Sequence, residues 1–230
     1  MCNIHCLRFG EHNLTREEIA GKRIIEIGSY DVNGSLRTYV ESLHPAEYVG
    51  VDIEKGYGVD VVCTGEEIRE RFKDESFDVV ISTELMEHVR DWRKVISNMK
   101  HVCKPNGVIL ITTRSHGYPY HGWPYDFWRF EQADMAEIFA DFQVQALEND
   151  TEEPGVFIKA RKPATFAERD LAGIALYSVV TNSRVREIDE DVLREYLTMH
   201  ADEYRLLERQ TLRGKARKFL RDTYWRVKRS

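Results

Sequence analysis

Nowhere in its 230 residues does the chain carry an apolar run approaching the ~20 residues a membrane-spanning helix needs, so the sequence predicts a soluble protein. Nor does Met1 lead into a charged start, an apolar stretch and a small-residue cleavage site, which makes the cytoplasm the expected location. The four cysteines, at positions 2, 6, 63 and 103, form no disulfide framework. Cys2, His5 and Cys6 are spaced so that two thiolates and an imidazole could share an ion, but a fourth ligand is missing nearby. Phe9 also stands where the third cysteine of a C-x3-C-x2-C cluster motif belongs, so no metal is expected. Internal repeats and low-complexity segments are absent as well.

What is present suits one main domain, since a hydrophobic fraction of 42% can build a core. Strand-like runs at 23–27, 48–52, 59–62, 77–82 and 107–113 alternate with helical patterns near 34–43, 65–73, 90–102 and 132–139. That alternation predicts a mostly parallel sheet covered on both faces. In Arg23-Ile24-Ile25-Glu26-Ile27-Gly28-Ser29-Tyr30-Asp31-Val32-Asn33-Gly34 an apolar strand stops at a short loop that lets a ligand approach the backbone. Val49-Gly50-Val51-Asp52 ends the next strand on a carboxylate able to accept hydrogen bonds from ribose hydroxyls. The unit predicts adenosine binding. A G-x-G-x-x-G turn is lacking, however, and Asp31 lies where a diphosphate would be repelled, so NAD and nucleoside triphosphates fit poorly.

A cofactor with a cationic sulfonium and no phosphate fits better, and here the chain resembles a class I S-adenosylmethionine-dependent methyltransferase. The resemblance runs over residues 20–162. Glu26 and Gly28 match the acid and first glycine of the first motif, while Tyr30 and Val32 stand where two further glycines are usual. Asp52 matches the ribose-binding acid and Ile53 the apolar residue beside adenine. Val61-Val62-Cys63-Thr64-Gly65 resembles the third-strand segment, with Thr64 in place of its acid. Ser76-Phe77-Asp78-Val79-Val80-Ile81-Ser82-Thr83-Glu84-Leu85-Met86-Glu87-His88-Val89 resembles the fourth strand and following helix, and Lys104-Pro105-Asn106-Gly107-Val108-Ile109-Leu110-Ile111-Thr112 the turn and fifth strand. The family implies a doubly wound, seven-stranded, mostly parallel α/β sheet closed by an antiparallel pair at 143–147 and 155–160. It implies a cofactor site of Glu26, Gly28, Ser29, Tyr30, Gly34, Asp52, Ile53, Thr64, Gly65, Thr83 and Glu84.

The loop after residue 113 is the most unusual stretch. Seven of the fifteen residues 116–130 are aromatic: Tyr118, Tyr120, Trp123, Tyr125, Phe127, Trp128 and Phe130. Packing over the sheet edge accounts for Phe127, Trp128 and Phe130. It leaves His116, His121, Asp126 and Arg129 without a role, so the loop is expected to shape an acceptor site. A hydroxyl acceptor must lose a proton, a task suited to histidine near neutral pH. His121 with Asp126 is the first candidate pair and His116 the second candidate. His88 is the third, although Glu87 and His88 could equally cap the helix and brace the loop. The segment Tyr118–Gly122 followed by 126–130 also resembles a subgroup that accompanies polysaccharide assembly. Nucleobase methylation is disfavoured, because Ser82-Thr83-Glu84-Leu85 replaces the Asn- or Asp-Pro-Pro-aromatic segment, and Cys103 is not placed as a nucleophile.

Residues 213–230 hold eight Lys or Arg and one acid, a net of +7, so the chain's −6 leaves −13 on residues 1–212. An acidic body argues against a nucleic-acid partner. Residues 189–210 read as an amphipathic helix and 213–230 as a basic one, suited to docking on the body, to a homodimer contact or to peripheral contact with an anionic membrane. Residues 171–181 suit an added strand or a short buried helix. The expected organisation is therefore a methyltransferase domain over 1–163 and a mainly helical C-terminal extension over 164–230 packed on it. The expected function is O-methylation of a sugar or glycan precursor, with methylation of another small metabolite and a non-catalytic cofactor-binding partner protein as alternatives.

Overall fold

The computed structural model describes residues 3–32, 34–122 and 124–201. Two helices precede the first strand: α1 (Ile4–Asn13), capped by the Asn3 side chain, and α2 (Arg16–Ile19), started by a capping box between Thr15 and Glu18. Then follow β1 (Arg23–Ile27), α3 (Arg37–Ser42), β2 (Glu47–Asp52), β3 (Val61–Val62), α4 (Ile68–Phe72), β4 (Phe77–Thr83), α5 (Trp92–Val102) and β5 (Cys103–Arg114). The chain continues through β6 (Trp128–Arg129), α6 (Gln132–Ile138), β7 (Gln143–Asn149), β8 (Gly155–Arg161), β9 (Leu176–Ser178) and β10 (Ser183–Val185).

Seven strands form one sheet in the order β3-β2-β1-β4-β5-β8-β7. Pairing is parallel from β3 to β5, and β8 runs antiparallel to both β5 and β7. Side chains alternate across a strand, so Ile24, Val79, Ile81, Val108, Leu110 and Phe157 share one face and pack with Cys6, Phe9, Leu14 and Ile19 of the N-terminal segment. Ile25, Val80, Ile109, Ile111 and Ile158, of opposite parity, are buried too. Both faces are thus covered, as a parallel sheet requires. Cys6 is therefore a core residue of α1, not a surface ligand, while Cys2 lies outside the described residues.

Several sequence expectations are refined here. The segment from Met86 to His88 is a single 3₁₀ turn and not the start of the helix after β4; that helix begins at Trp92, where the Asp91 carboxylate accepts the Lys94 N–H at 3.1 Å. The expected turn at 104–107 is a bulge inside β5, where the register jumps between Phe77 and Val79 and Asn106 adopts a φ of 62°. Residues 171–181 supply a strand. β9 pairs antiparallel with β10 and with β6, which joins the aromatic loop to the chain beyond the main sheet. The Arg93 side chain, reaching from α5, donates to the carbonyls of Leu171, Ile174 and Arg186.

A first compact unit runs to Glu187, and the second opens at Ile188. Of the amphipathic pattern at 189–210, residues 190–201 are helical. The basic stretch 213–230, and with it the docking, dimer and membrane expectations, lies outside the described residues. Among the described residues no helix is long and apolar enough to cross a membrane.

Candidate active site

The carboxyl ends of β1, β2, β4 and β5 lie along one edge of the sheet, where an open α/β fold leaves room for ligands. The chain leaves β1 through Gly28, whose φ of 82° suits glycine and whose missing Cβ would sit 3.0 Å from Leu85 Cβ. Gly28 and Ser29 donate their N–H groups to the Val51 carbonyl at 2.9 and 3.1 Å, tying the loop to β2. Next in line, Tyr30 donates its N–H to Asp52 Oδ2 at 3.0 Å, and Glu54 donates to Asp52 Oδ1 at 3.2 Å. Each Asp52 oxygen keeps a lone pair for a ligand hydroxyl. Gly34 donates to Asp31 Oδ1 at 2.7 Å, which closes the loop upon itself.

Glu26 is buried beneath this loop and accepts from Tyr48 Oη at 2.6 Å and Ser35 Oγ at 3.3 Å. Burial, which disfavours its charge, outweighs both hydrogen bonds and pushes its carboxyl up to about 7. These residues, with Thr83, Glu84, Leu85 and His88, line a cleft of about 260 Å³. Glu26, Asp31, Asp52 and Glu84 all face it, and among the described residues no lysine or arginine lines it. Such a cleft repels a diphosphate and suits a nucleoside bearing positive charge, so the residues fit S-adenosylmethionine.

Of the expected cofactor residues, Glu26, Gly28, Ser29, Tyr30, Gly34, Asp52, Thr83 and Glu84 come together in this cleft. Glu84, at a φ of 54°, also forms a buried ion pair with Arg114. Ile53, Thr64 and Gly65 are not among its lining residues. Ile53 is 58% exposed. Thr64 donates its N–H and Oγ1–H to Glu67 at 3.3 and 3.0 Å. Gly65 packs against α5, where a Cβ would come within 2.9 Å of Val95.

His88, at the rim of the cleft, belongs to a second cluster. Its ring lies 4.8 Å from that of His121, and its Nδ1–H donates to the Tyr125 carbonyl. Gly122 makes this approach possible: its φ is 115°, and a Cβ there would sit 2.8 Å from His88 Cε1. His121 donates Nδ1–H to Asp126 Oδ2 at 3.1 Å and its backbone N–H to the same oxygen at 2.7 Å. Asp126 in turn is held by Arg129, whose Nη1 and Nη2 donate to its two oxygens at 2.5 and 3.0 Å. The same guanidinium donates to the carbonyls of Tyr118, Pro119 and Trp128, so one fully buried ion pair fixes the path of the loop. Burial works against the Asp126 charge, yet His121 and Arg129 keep its carboxyl below the usual range.

Between the two imidazoles stands Glu87, whose side chain is 0% exposed. Its Oε2 accepts from Thr113 Oγ1 at 2.8 Å. Its Oε1 lies 3.7 Å from His121 Nε2 and 3.8 Å from His88 Nε2. Burial opposes ionisation of Glu87, but the neighbouring histidines hold it well below the carboxylate range. For His121, burial pulls the imidazolium down while Asp126 and Glu87 raise it, and the carboxylates win. The expected pair His121–Asp126 is thus brought together and joined by His88. His116 is placed elsewhere, with its N–H on Glu131 at 2.8 Å and its ring 4.3 Å from Tyr177.

The centre of the cluster is Glu87, which sequence reading treated as a cap or brace. Its adjacency to His88 was the available signal. Thr113 carried none, being one of two threonines that end a buried strand. Phe127, Trp128 and Phe130 are buried, as a packing role requires, and Cys103 is buried with its thiol pushed up to about 12, which leaves it inert.

Residues 7–156 match the family described as a methyltransferase domain. Over 109 residues the chain is 30% identical to the phthiotriol/phenolphthiotriol dimycocerosates methyltransferase 1 of Mycobacterium ulcerans (strain Agy99), which covers 43% of this chain and 40% of that protein. Over 122 residues it is 27% identical to the ubiquinone biosynthesis O-methyltransferase of Sinorhizobium fredii (strain NBRC 101917 / NGR234), with 47% of each covered. The chain therefore spans less than half the length of these curated relatives. Its fold is similar to that of the Burkholderia thailandensis 1,6-didemethyltoxoflavin-N1-methyltransferase crystallised with 1,6-didemethyltoxoflavin and S-adenosylhomocysteine, at a TM-score of 0.57 and 14% identity over 69% of this chain and 78% of that one. The chain belongs to the methyltransferase-domain family, and its sheet is that of a class I S-adenosylmethionine-dependent methyltransferase.

Proposed function

We propose that the protein transfers a methyl group to a hydroxyl oxygen of a sugar or glycan precursor. The observation that carries this reading is the position of His88, which lines the cofactor cleft and stands 4.8 Å, ring to ring, from His121. A proton-handling cluster thus adjoins the cleft that holds the methyl donor. S-adenosylmethionine supplies a methyl carried on a cationic sulfur. Asp52 is assigned to the ribose hydroxyls and Glu26 to the donor's ammonium end.

The remaining work falls to the acceptor side. Aligning an oxygen with the methyl contributes up to about 7–11 kcal/mol in favourable cases. With Nδ1 committed to Asp126, Nε2, buried beside Glu87, is the ring atom of His121 left to take the hydroxyl proton once the acceptor reaches it. Tyr125, exposed at the loop's edge, offers a flat ring to a sugar face, and Tyr118 packs between Arg114 and His121. Both histidines keep partial exposure, at 23% for His88 and 18% for His121, so the aromatic loop leaves the cluster open. An open cluster supports the enzyme reading over a non-catalytic partner.

Another small hydroxylated metabolite is a second reading, supported by the Sinorhizobium fredii relative being an O-methyltransferase of ubiquinone biosynthesis. The test is incubation of the full chain with S-adenosylmethionine and a panel of glycosides, nucleotide sugars and phenols, following formation of S-adenosylhomocysteine. Turnover with a sugar hydroxyl supports the proposal. Turnover confined to phenols moves the metabolite reading to first place, and methylation on nitrogen or carbon contradicts both.

A further inference from the structure

We propose that Glu87, His88 and His121 form a binding site for one divalent first-row transition-metal cation. The argument starts from hydrogen-bond roles. A carbonyl and an ionised carboxylate only accept, so the contacts to Tyr125 and Asp126 put the ring proton of each histidine on Nδ1. In the neutral imidazoles Nε2 is then a lone pair. Both lone pairs face Glu87 Oε1, at 3.8 and 3.7 Å, and the three ligand atoms lie within 4.8 Å of one another.

With Nε2 deprotonated three acceptors converge on one point, and with His121 protonated its Nε2–H faces Glu87 instead, so the place is one that a proton or a metal cation fills. Glu87 Oε1 and His121 Nε2 are buried and have no partner at hydrogen-bond distance among the described residues. Unsatisfied buried polar atoms are rare and costly, and a gathering of them calls for a positive charge at its centre. Ligands held at about 2.0–2.2 Å from an ion lie roughly 3–4 Å from one another, so closing this cluster on a cation needs side-chain shifts of up to about 1 Å. Two imidazole nitrogens and one carboxylate oxygen favour a first-row transition cation over calcium or magnesium, which prefer all-oxygen sets.

The surroundings agree. A ligating histidine commonly donates its second ring N–H to a carboxylate or backbone carbonyl, which fixes the tautomer and the ring plane. His121 does so to Asp126, itself braced by Arg129, and His88 does so to Tyr125. Glu87 is steadied by Thr113 through its other oxygen. Three protein ligands leave positions open to an outside oxygen, and His88 and His121 are the partly exposed members. The role of the ion rests on the hydroxyl-acceptor reading above. Coordination would lower the pKa of the hydroxyl, its O–H bond breaking with the proton passing to water; the oxygen lone pair then forms the O–C bond as the methyl's C–S bond breaks, its electron pair stays on sulfur and S-adenosylhomocysteine leaves. With the ion bound His121 assists this deprotonation as a ligand, and with the site empty its Nε2 takes the proton directly.

The experiment uses the full chain, stripped with a chelator and titrated with Co²⁺ in the absence of cofactor and acceptor, so that its result is independent of methyl transfer. One equivalent of Co²⁺ should produce visible d–d absorption without thiolate charge-transfer bands, and Zn²⁺ should displace it. His88→Ala and His121→Ala should each weaken binding at least tenfold, while Cys2→Ser leaves it unchanged. Asp126→Asn should weaken it by about 10–100-fold through loss of the histidine's orienting partner. Circular dichroism and thermal melting of each variant separate loss of the site from loss of the fold, with His121→Asn as a second, less disruptive probe. The proposal is overturned if folded wild-type protein binds no Co²⁺, or if binding survives both histidine substitutions and is abolished by Cys2→Ser.

Discussion

The two halves of the active edge are built in opposite ways. In the cofactor cleft Asp52 takes the N–H groups of Tyr30 and Glu54, Glu26 takes the hydroxyls of Tyr48 and Ser35 and Glu84 meets the charge of Arg114, while Ser29 Oγ has no hydrogen-bond partner among the described residues. Its parts come from the ends of β1 and β2, the loop after β1, and the end of β4 with the turn beyond it. In the acceptor cluster, residues from the turn after β4, the end of β5 and the aromatic loop converge, and Glu87 Oε1 and His121 Nε2 face each other at 3.7 Å with no partner at hydrogen-bond distance among the described residues. The first half is preorganised by backbone. The second is held from behind by Arg129, Asp126 and Thr113 and is completed by what it binds. In the second half Glu87 Oε1 and His121 Nε2 are the atoms left for an outside group, among the described residues.

The contrast is broken most strongly at His121. Replacing it with alanine should reduce kcat by about 10²–10⁴-fold, the usual worth of a proton-handling group, while calorimetric titration shows the affinity for S-adenosylmethionine unchanged. An equal loss in both would mean that the halves are not separate. Arg129→Met comes next. It leaves the Asp126 carboxylate buried without its main counter-charge, and urea unfolding should record a loss of about 3–5 kcal/mol.

Glu26 sharpens the comparison through pH. Its carboxyl sits near 7 in the folded chain against 4.5 as a free group, so the folded state holds the proton more tightly. The stability this confers is present below about pH 4.5 and is lost as the pH rises through about 7, a span worth roughly 3 kcal/mol. Glu26→Gln should remove that slope, and urea unfolding at about pH 5 and about pH 8 should show the variant gaining on the wild type by roughly 2–3 kcal/mol. No such gain would show that Glu26 is solvated or paired in solution. Asp52→Ala is the mildest change: calorimetry should find cofactor affinity weakened by about 10–100-fold, as expected for losing hydrogen bonds to a charged acceptor. Co²⁺ binding at the cluster should not move.

How much of this was legible in the sequence follows the same division. The strands β1, β2, β4 and β8, and the acids Glu26 and Asp52, were readable because apolar runs ending in a loop or an acid are local patterns. The N-terminal helices escaped notice although Thr15-Arg16-Glu17-Glu18 carries a capping-box signature, because Cys2, His5 and Cys6 drew attention as ligands. The pairing of β6 with β9 depends on residues far apart in the chain, which periodicity does not register. His121 and Asp126 stood out as polar residues in an aromatic loop, and the structure gives Asp126 a packing role as well, through the buried Arg129 ion pair that fixes the loop's path. Glu87 was underrated since its partners Thr113 and His121 lie 26 and 34 positions away, and only the folded sheet edge brings them to it.

The most direct test of the account is transfer of an isotopically labelled methyl group from S-adenosylmethionine to a glycan-precursor acceptor by the full chain, with the methylated atom located by NMR. The account predicts label on a hydroxyl oxygen, lost in His121→Ala under conditions where that variant still binds cofactor. Label on nitrogen or carbon, or undiminished O-methylation by the variant, would contradict it.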